Sequence, residues 1–143
     1  MIRCLEERDI ASCLALMEIV KADFPGYQER TFRRALGDAI AKSEAVAAYC
    51  SAELTGLISF SYPDKEITAL AVHPNHRRNG IAKRLIEEVK CRIPLRSTIR
   101  VVTFRNDDPR GAAAVACYRA CGFVSGDRME AYGYPCQEMI LLR

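Results

Sequence analysis

The chain has 143 residues, half of them apolar and 27% charged, with a formal net charge of +3. That describes one globular domain with enough apolar residues for a single core. No apolar run approaches the roughly 20 residues of a membrane span. The small positive charge gives no case for nucleic acid by itself, but it suits an anionic small molecule.

Met1 to Glu7 carries no apolar secretory core, so a cytoplasmic protein without membrane association is expected. Seven cysteines form no C-x-x-C pair. They are expected to be reduced and mostly buried, with Cys117 and Cys121 on one helical face. Two loop histidines, His73 and His76, make no metal site.

Ile2 to Leu5 reads as a short strand. Asp9 then stands as the N-cap of a helix carrying Ile10, Cys13, Leu14, Met17 and Val20 on one face. Phe24-Pro25-Gly26-Tyr27 breaks that helix. A second helix, from about Gln28 to Lys42, turns Phe32, Ala35, Leu36, Ala39 and Ile40 inward. Ala45 to Cys50 and Thr55 to Tyr62 are strands joined by a tight turn, and Pro63-Asp64-Lys65 leads into a third, Glu66 to Val72. Gly80 to Cys91 is helical, and Pro94 stops its continuation. Thr98 to Phe104 is a buried strand, followed by a polar loop. Ala112 to Cys121 is a helix closed by Gly122. Phe123 to about Met129 and Gln137 to Leu142 are the last strands, joined through Gly133-Tyr134-Pro135. The order predicts an α/β sandwich: one mixed, twisted sheet of six to seven strands flanked by about four helices.

The most informative run is Leu70 to Ile86. An apolar strand ends at His73-Pro74, a basic loop follows, and Gly80 opens a helix with Ile81, Ala82, Leu85, Ile86 and Val89 on one face. The first N–H groups of a helix have no partner within it and carry partial positive charge, so they attract phosphate. Arg77, Arg78 and Lys83 add full charges at the same place. The run reads as a pyrophosphate cradle. It contains neither G-x-G-x-x-G nor G-x-x-x-x-G-K-[ST], so it is neither a dinucleotide fingerprint nor a P-loop.

Arg77-Arg78-Asn79-Gly80-Ile81-Ala82 resembles the Q/R-x-x-G-x-G/A signature of the GNAT superfamily of N-acetyltransferases. Leu70-Ala71-Val72-His73-Pro74 resembles that family's central strand and its exit. Downstream, Tyr118-Arg119-Ala120-Cys121-Gly122-Phe123 resembles its Y-x-x-x-G-F segment. The element order fits along the whole chain, as one N-acetyltransferase domain over residues 1–143.

The resemblance implies acetyl-CoA as cosubstrate and a primary amine, on a small molecule or a peptide, as acceptor. It implies direct attack in a ternary complex rather than transfer through Cys117 or Cys121. The amides of Arg78, Asn79, Gly80, Ile81, Ala82 and Lys83 would face the pyrophosphate, the Arg77 and Arg78 side chains would add charge-assisted bonds, and Arg119 would reach the CoA phosphates. The free strand edge at Leu70, Ala71 and Val72 would pair with the pantetheine arm, and the N–H near Leu70 would polarise the thioester. Tyr118 would protonate the leaving thiolate. Glu66, ahead of Asp64 and Glu130, would take the amine's proton. Phe24, Tyr27 and Tyr134 are the aromatic residues of the loops expected around the acceptor.

Many members carry an asparagine about seven residues before the tyrosine, where this chain has Gly111, with Asn106 five residues earlier. That loop resembles generic bacterial members more than the ribosomal-protein acetyltransferases. A monomer or homodimer is implied. The alternative is an acetyl-CoA-binding regulatory module without turnover. Nucleic-acid binding through Arg77 to Lys90 is not expected, because Glu87 and Glu88 dilute that helix's charge.

Overall fold

Continuous apolar runs form the central strands and apolar stripes spaced three and four apart form the helices, in the order the sequence implies. The computed structural model describes residues 1–94 and 96–143. Its elements are β1 (Ile2–Cys4), α1 (Ile10–Val20), α2 (Glu29–Ala41), β2 (Ala45–Cys50), β3 (Glu53–Ser61) and β4 (Glu66–Val72), then α3 (Ile81–Arg92), β5 (Ile99–Phe104), α4 (Ala112–Ala120), β6 (Val124–Ala131) and β7 (Tyr134–Leu141). The strands form one seven-stranded sheet in the order β1-β2-β3-β4-β5-β7-β6. Every pairing is antiparallel except that of β4 with β5.

Both faces of the central strands are covered, so they read as unbroken apolar runs rather than alternating ones. Leu57 of β3 packs with Cys13, Leu16, Met17, Val20 and Leu36 of α1 and α2. Ile58 and Phe60 point the other way, into a cluster with Ile81, Leu85, Ile86 and Val89 of α3 and Val115 and Tyr118 of α4. Each large aliphatic side chain so buried contributes about 1.5–3 kcal/mol. Gly56 permits the close approach of α3, since a Cβ there would lie 3.0 Å from Ile81 Cγ2 and 3.1 Å from the Ala71 carbonyl oxygen.

Helix α4 ends in a two-bond glycine closure. Gly122 takes φ +97°, its N–H donates to the Arg119 carbonyl, and the Phe123 N–H donates to that of Tyr118. That pairing satisfies two carbonyls that a helix end leaves free.

Some local expectations are corrected. Asp9 holds the N-cap position of α1 but makes no side-chain cap. Its carboxylate turns back to accept from Arg3 at 2.9 and 3.0 Å, from the Glu6 N–H at 2.9 Å and from the Tyr49 hydroxyl at 2.8 Å. A charged donor on β1, six residues earlier in the chain, outcompetes the helix amides. Ala35 is exposed, and on α2 only Leu36 is fully buried. The last hairpin turns one residue earlier than expected, at Tyr132 and Gly133, with φ +55° and +79°, as a two-residue turn of this hand requires. Pro135 therefore lies within β7, beyond the end of β5, where its missing N–H interrupts no β5 pairing. The seven cysteines are free, and Cys4, Cys50 and Cys91 are exposed rather than buried.

The hydrogen bond from Arg3, more than the backbone and Tyr49 donors, holds the Asp9 carboxyl well below the usual carboxylate range against the opposing effect of burial. A carboxyl lowered on folding stabilises above its unfolded value, and that stability is lost as the pH falls toward the folded value. Asp9→Asn is therefore expected to cost about 1–3 kcal/mol at pH 7, measured by urea unfolding. The gap to the parent should narrow below about pH 4.

Candidate active site

The site is built where the one parallel pair comes apart. β4 and β5 are in register only at Glu66↔Arg100 and Ile67↔Val101. Ser59↔Ala69 and Phe60↔Ile67 leave Thr68 as an extra residue on β4. Such a bulge bends a strand and increases its local twist. Beyond it, the backbone groups of Leu70, Ala71 and Val72 that point away from β3 have no strand beside them among the described residues.

At the end of β4 the chain is pinned before it turns. The His73 N–H donates to the Thr55 carbonyl at 2.8 Å, and His73 Nδ1 accepts from the Asn75 N–H at 3.1 Å, capping a single 3-10 turn, Pro74–His76. Arg78 and Gly80 follow at φ +67° and +75°. Gly80 is the N-cap of α3 and supplies no side-chain bond. The N–H groups of Ile81, Ala82 and Lys83 are thus left to an external acceptor. A Cβ at Gly80 would meet nothing within 4 Å, so the mouth of the cradle is open. An anion with several oxygens, such as the pyrophosphate of a CoA, fits this donor set.

Arg77 faces elsewhere. Its Nε donates to the Val72 carbonyl at 3.4 Å, and its Nη2 lies 3.3 Å from Asp23, between α1 and α2. It ties the cradle loop to that connection, leaving Arg78, Asn79 and Lys83 as the side chains beside the open amides.

Tyr118, on α4, is almost fully buried and packs edge-on against Phe123 at 5.2 Å. Burial, more than the nearby thiols of Cys117 and Cys121, drives its phenol well above the ordinary value. Its hydroxyl makes no hydrogen bond among the described residues. It remains a protonated donor with no acceptor among the described residues.

Glu66 starts β4 on the face that α1 and α2 cover farther along the sheet. Its carboxylate pairs with Arg100 Nη1 of β5, whose Nε donates to Glu138 of β7 at 2.9 Å. The Ser59 and Thr68 hydroxyls meet at 2.8 Å on the same stretch of sheet. Arg100 and Glu138 have no motif around them and lie far from Glu66 in the chain. The available signal was a lone charge inside each of two apolar strands.

The loops expected to frame an acceptor are only partly joined. Gly26 packs against Tyr132, where a Cβ would fall 2.6 Å from that of the tyrosine. Tyr132, missed in the sequence, is 79% exposed at the hairpin tip. Phe24 is half-buried against the α1–α2 core. Tyr27 packs at a tilt against Phe32 at 5.6 Å, and its hydroxyl is buried without a partner among the described residues. Tyr134 stands instead at the end of β5, edge-on to Phe104 at 5.7 Å, with the Arg110 guanidinium 4.1 Å from the Phe104 ring.

Gly111, in place of the family's asparagine, has a steric cause. A Cβ there would lie 2.4–2.6 Å from the backbone of Phe104 and Arg105, so no side chain fits. Arg119 reaches Ser125 at 3.4 Å, toward β6 rather than α3. Among the described residues no group of acidic, cysteine and histidine side chains could hold a metal ion, and no helix is long and apolar enough to cross a membrane.

Solved structures share this architecture. A GNAT-family acetyltransferase from Bacillus cereus superposes with a TM-score of 0.80 at 16% identity, covering 100% of this chain and 96% of that one. The ribosomal-protein-S18-alanine N-acetyltransferase of Escherichia coli gives 0.74 at 21%, covering 99% and 92%. The paia N-acetyltransferase of Thermoplasma acidophilum, in complex with coenzyme A, gives 0.71 at 16%, covering 100% and 98%. At these identities the likeness is one of fold. No curated protein matches in sequence. The model of the Acetyltransferase (GNAT) family matches residues 13–123, from within α1 to just past α4, and the chain belongs to that family.

Proposed function

We propose that the protein is an N-acetyltransferase that moves an acetyl group from acetyl-CoA to a primary amine by direct attack in a ternary complex, in the cytoplasm. The observation that carries this is the alignment of two open features. The free edge of β4 runs straight into the uncapped N-terminus of α3, as a phosphate-bearing thioester needs.

When bound, acetyl-CoA supplies an acyl thioester with a thiolate leaving group. The amides of Gly80, Ile81, Ala82 and Lys83, with Arg78 and Asn79 beside them, hold its pyrophosphate. The edge at Leu70, Ala71 and Val72 pairs with its arm, and the N–H near Leu70 polarises the carbonyl, a contribution of about 3 kcal/mol. Tyr118 donates a hydrogen bond where negative charge develops on sulfur. Glu66, aimed by Arg100, accepts the amine's proton. Phe24, Tyr27, Tyr132 and Tyr134 lie around the acceptor's approach.

Calorimetry with acetyl-CoA, followed by a screen of mixed amines for free-thiol release, tests this reading. Binding with amine-dependent thiol release is expected. Binding without release from any amine would turn the protein into a cosubstrate-sensing module, and no binding would remove the cradle.

A further inference from the structure

A second basic site lies across α4 from the cradle. Cys117 and Cys121 lie on the side of α4 toward α3, where Lys90 Nζ donates to the Cys121 carbonyl at 2.8 Å. Val115 and Arg119 lie on the side toward β6. There, with Arg105, Asp107, Arg128 and Gln137, they line a cavity of about 350 Å³. That volume is ordinary for a small-molecule pocket, and no cradle residue borders it.

Three guanidiniums, those of Arg105, Arg119 and Arg128, converge on this cavity. Arg3, Arg8, Arg33, Arg77, Arg92, Arg100 and Arg110 answer carboxylates, and Arg84 and Arg143 donate to backbone carbonyls. Arg105, Arg119 and Arg128 have no ion pair among the described residues. Arg105 spends only its Nε, on the Cys136 carbonyl at 3.2 Å. Arg119 makes one long contact to the Ser125 hydroxyl. Arg128 makes no hydrogen bond among the described residues. Three planar, permanently charged donors thus reach one cavity with their forks largely free, and such forks match carboxylate and phosphate oxygens.

The floor is fixed. The Gln137 side-chain nitrogen donates to the carbonyls of Gly126, Asp127 and Glu138, filling the irregularity between β6 and β7. Asp107 contributes an acceptor to the lining.

We infer that this cavity is a second anion site, which takes a compact dianion, a phosphate monoester or a dicarboxylate, whose body carries a hydroxyl for Asp107. The ligand bridges the β5–α4 loop, α4 and β6, and binds independently of the cradle.

Protein saturated with CoA, so that the cradle is filled, would be titrated by calorimetry with glycerol 3-phosphate, with malate and, as the neutral control, with glycerol. One of the two anions should bind at one per chain with a Kd below about 1 mM, equivalent to about −4 kcal/mol, while glycerol does not. The anion that binds identifies the source. Arg128→Gln should weaken it about tenfold or more, the worth of one charge-assisted hydrogen bond, and Arg128→Lys should lose less. The CoA affinity of both variants should stay within about twofold of the parent, because Arg128 touches nothing in the cradle. The site is refuted if neither anion binds the CoA-saturated protein, or if Arg128→Gln binds as tightly as the parent. Failure of CoA to bind at all would instead count against the proposed function, and would show as an absent first titration.

Discussion

Gly80→Asp is expected to weaken acetyl-CoA binding by a hundredfold or more while the protein still unfolds cooperatively. Two separate effects act at this residue. Its φ of +75° is a conformation that side-chain-bearing residues adopt at a cost of roughly 1–2 kcal/mol. The new carboxylate would also stand where the proposed reading puts the pyrophosphate, opposing charge-assisted hydrogen bonds worth about 1.5–3 kcal/mol each. Losing two of these would exceed a hundredfold in affinity. No protein atom lies within 4 Å of the added Cβ, so the fold has no reason to fail beyond the backbone strain. Calorimetry with acetyl-CoA beside a thermal melt separates the two effects, and Gly80→Ala, which introduces strain without charge, should fall between parent and aspartate. Parental affinity in the aspartate variant would show that phosphate does not sit on the α3 N-terminus.

Tyr118→Phe is expected to lower kcat by about a hundredfold with the KM for acetyl-CoA nearly unchanged. The substitution is unusually clean. The hydroxyl has no partner among the described residues, so its removal leaves no orphaned group there and the fold should be as stable as the parent's. Burial raises the phenol above its ordinary value, so the protonated form, the donor, persists across the neutral and alkaline range. The parent's kcat should therefore show no alkaline decline from this residue below about pH 10. Steady-state kinetics from pH 6 to 10 on both proteins check both statements. Full activity in the phenylalanine variant would reduce Tyr118 to core packing.

The cradle was legible in the chain because it is local. An apolar strand, a basic loop, a glycine and an amphipathic helix lie within twenty residues, and each contributes through backbone geometry that its own sequence dictates. The element order was legible for the same reason. What sequence could not show depends on strand order. Arg100 reaches Glu66 only because β5 pairs with β4, and Glu138 reaches Arg100 only because β7, not β6, lies beside β5. Arg119 pointed toward phosphate when read beside Tyr118, yet its side chain lies toward β6, a difference of one helical step. Asp9 and Gly111 show the same limit from the side of packing. A helix cap was diverted by Arg3, and an asparagine position was closed by two backbone carbonyls.

The two-residue register between β4 and β5 has a thermodynamic consequence. The sheet is in effect two smaller sheets, β1 to β4 and β5-β7-β6, whose backbones share a seam two residue pairs long. Under the proposed reading, the arm that lies in the wedge also supplies backbone pairing that the polypeptide itself lacks. A ligand that binds only the folded form raises its stability with the logarithm of ligand concentration. Folding and cosubstrate supply are then linked, so that depletion of acetyl-CoA would loosen the β5-β7-β6 half as well as halt transfer.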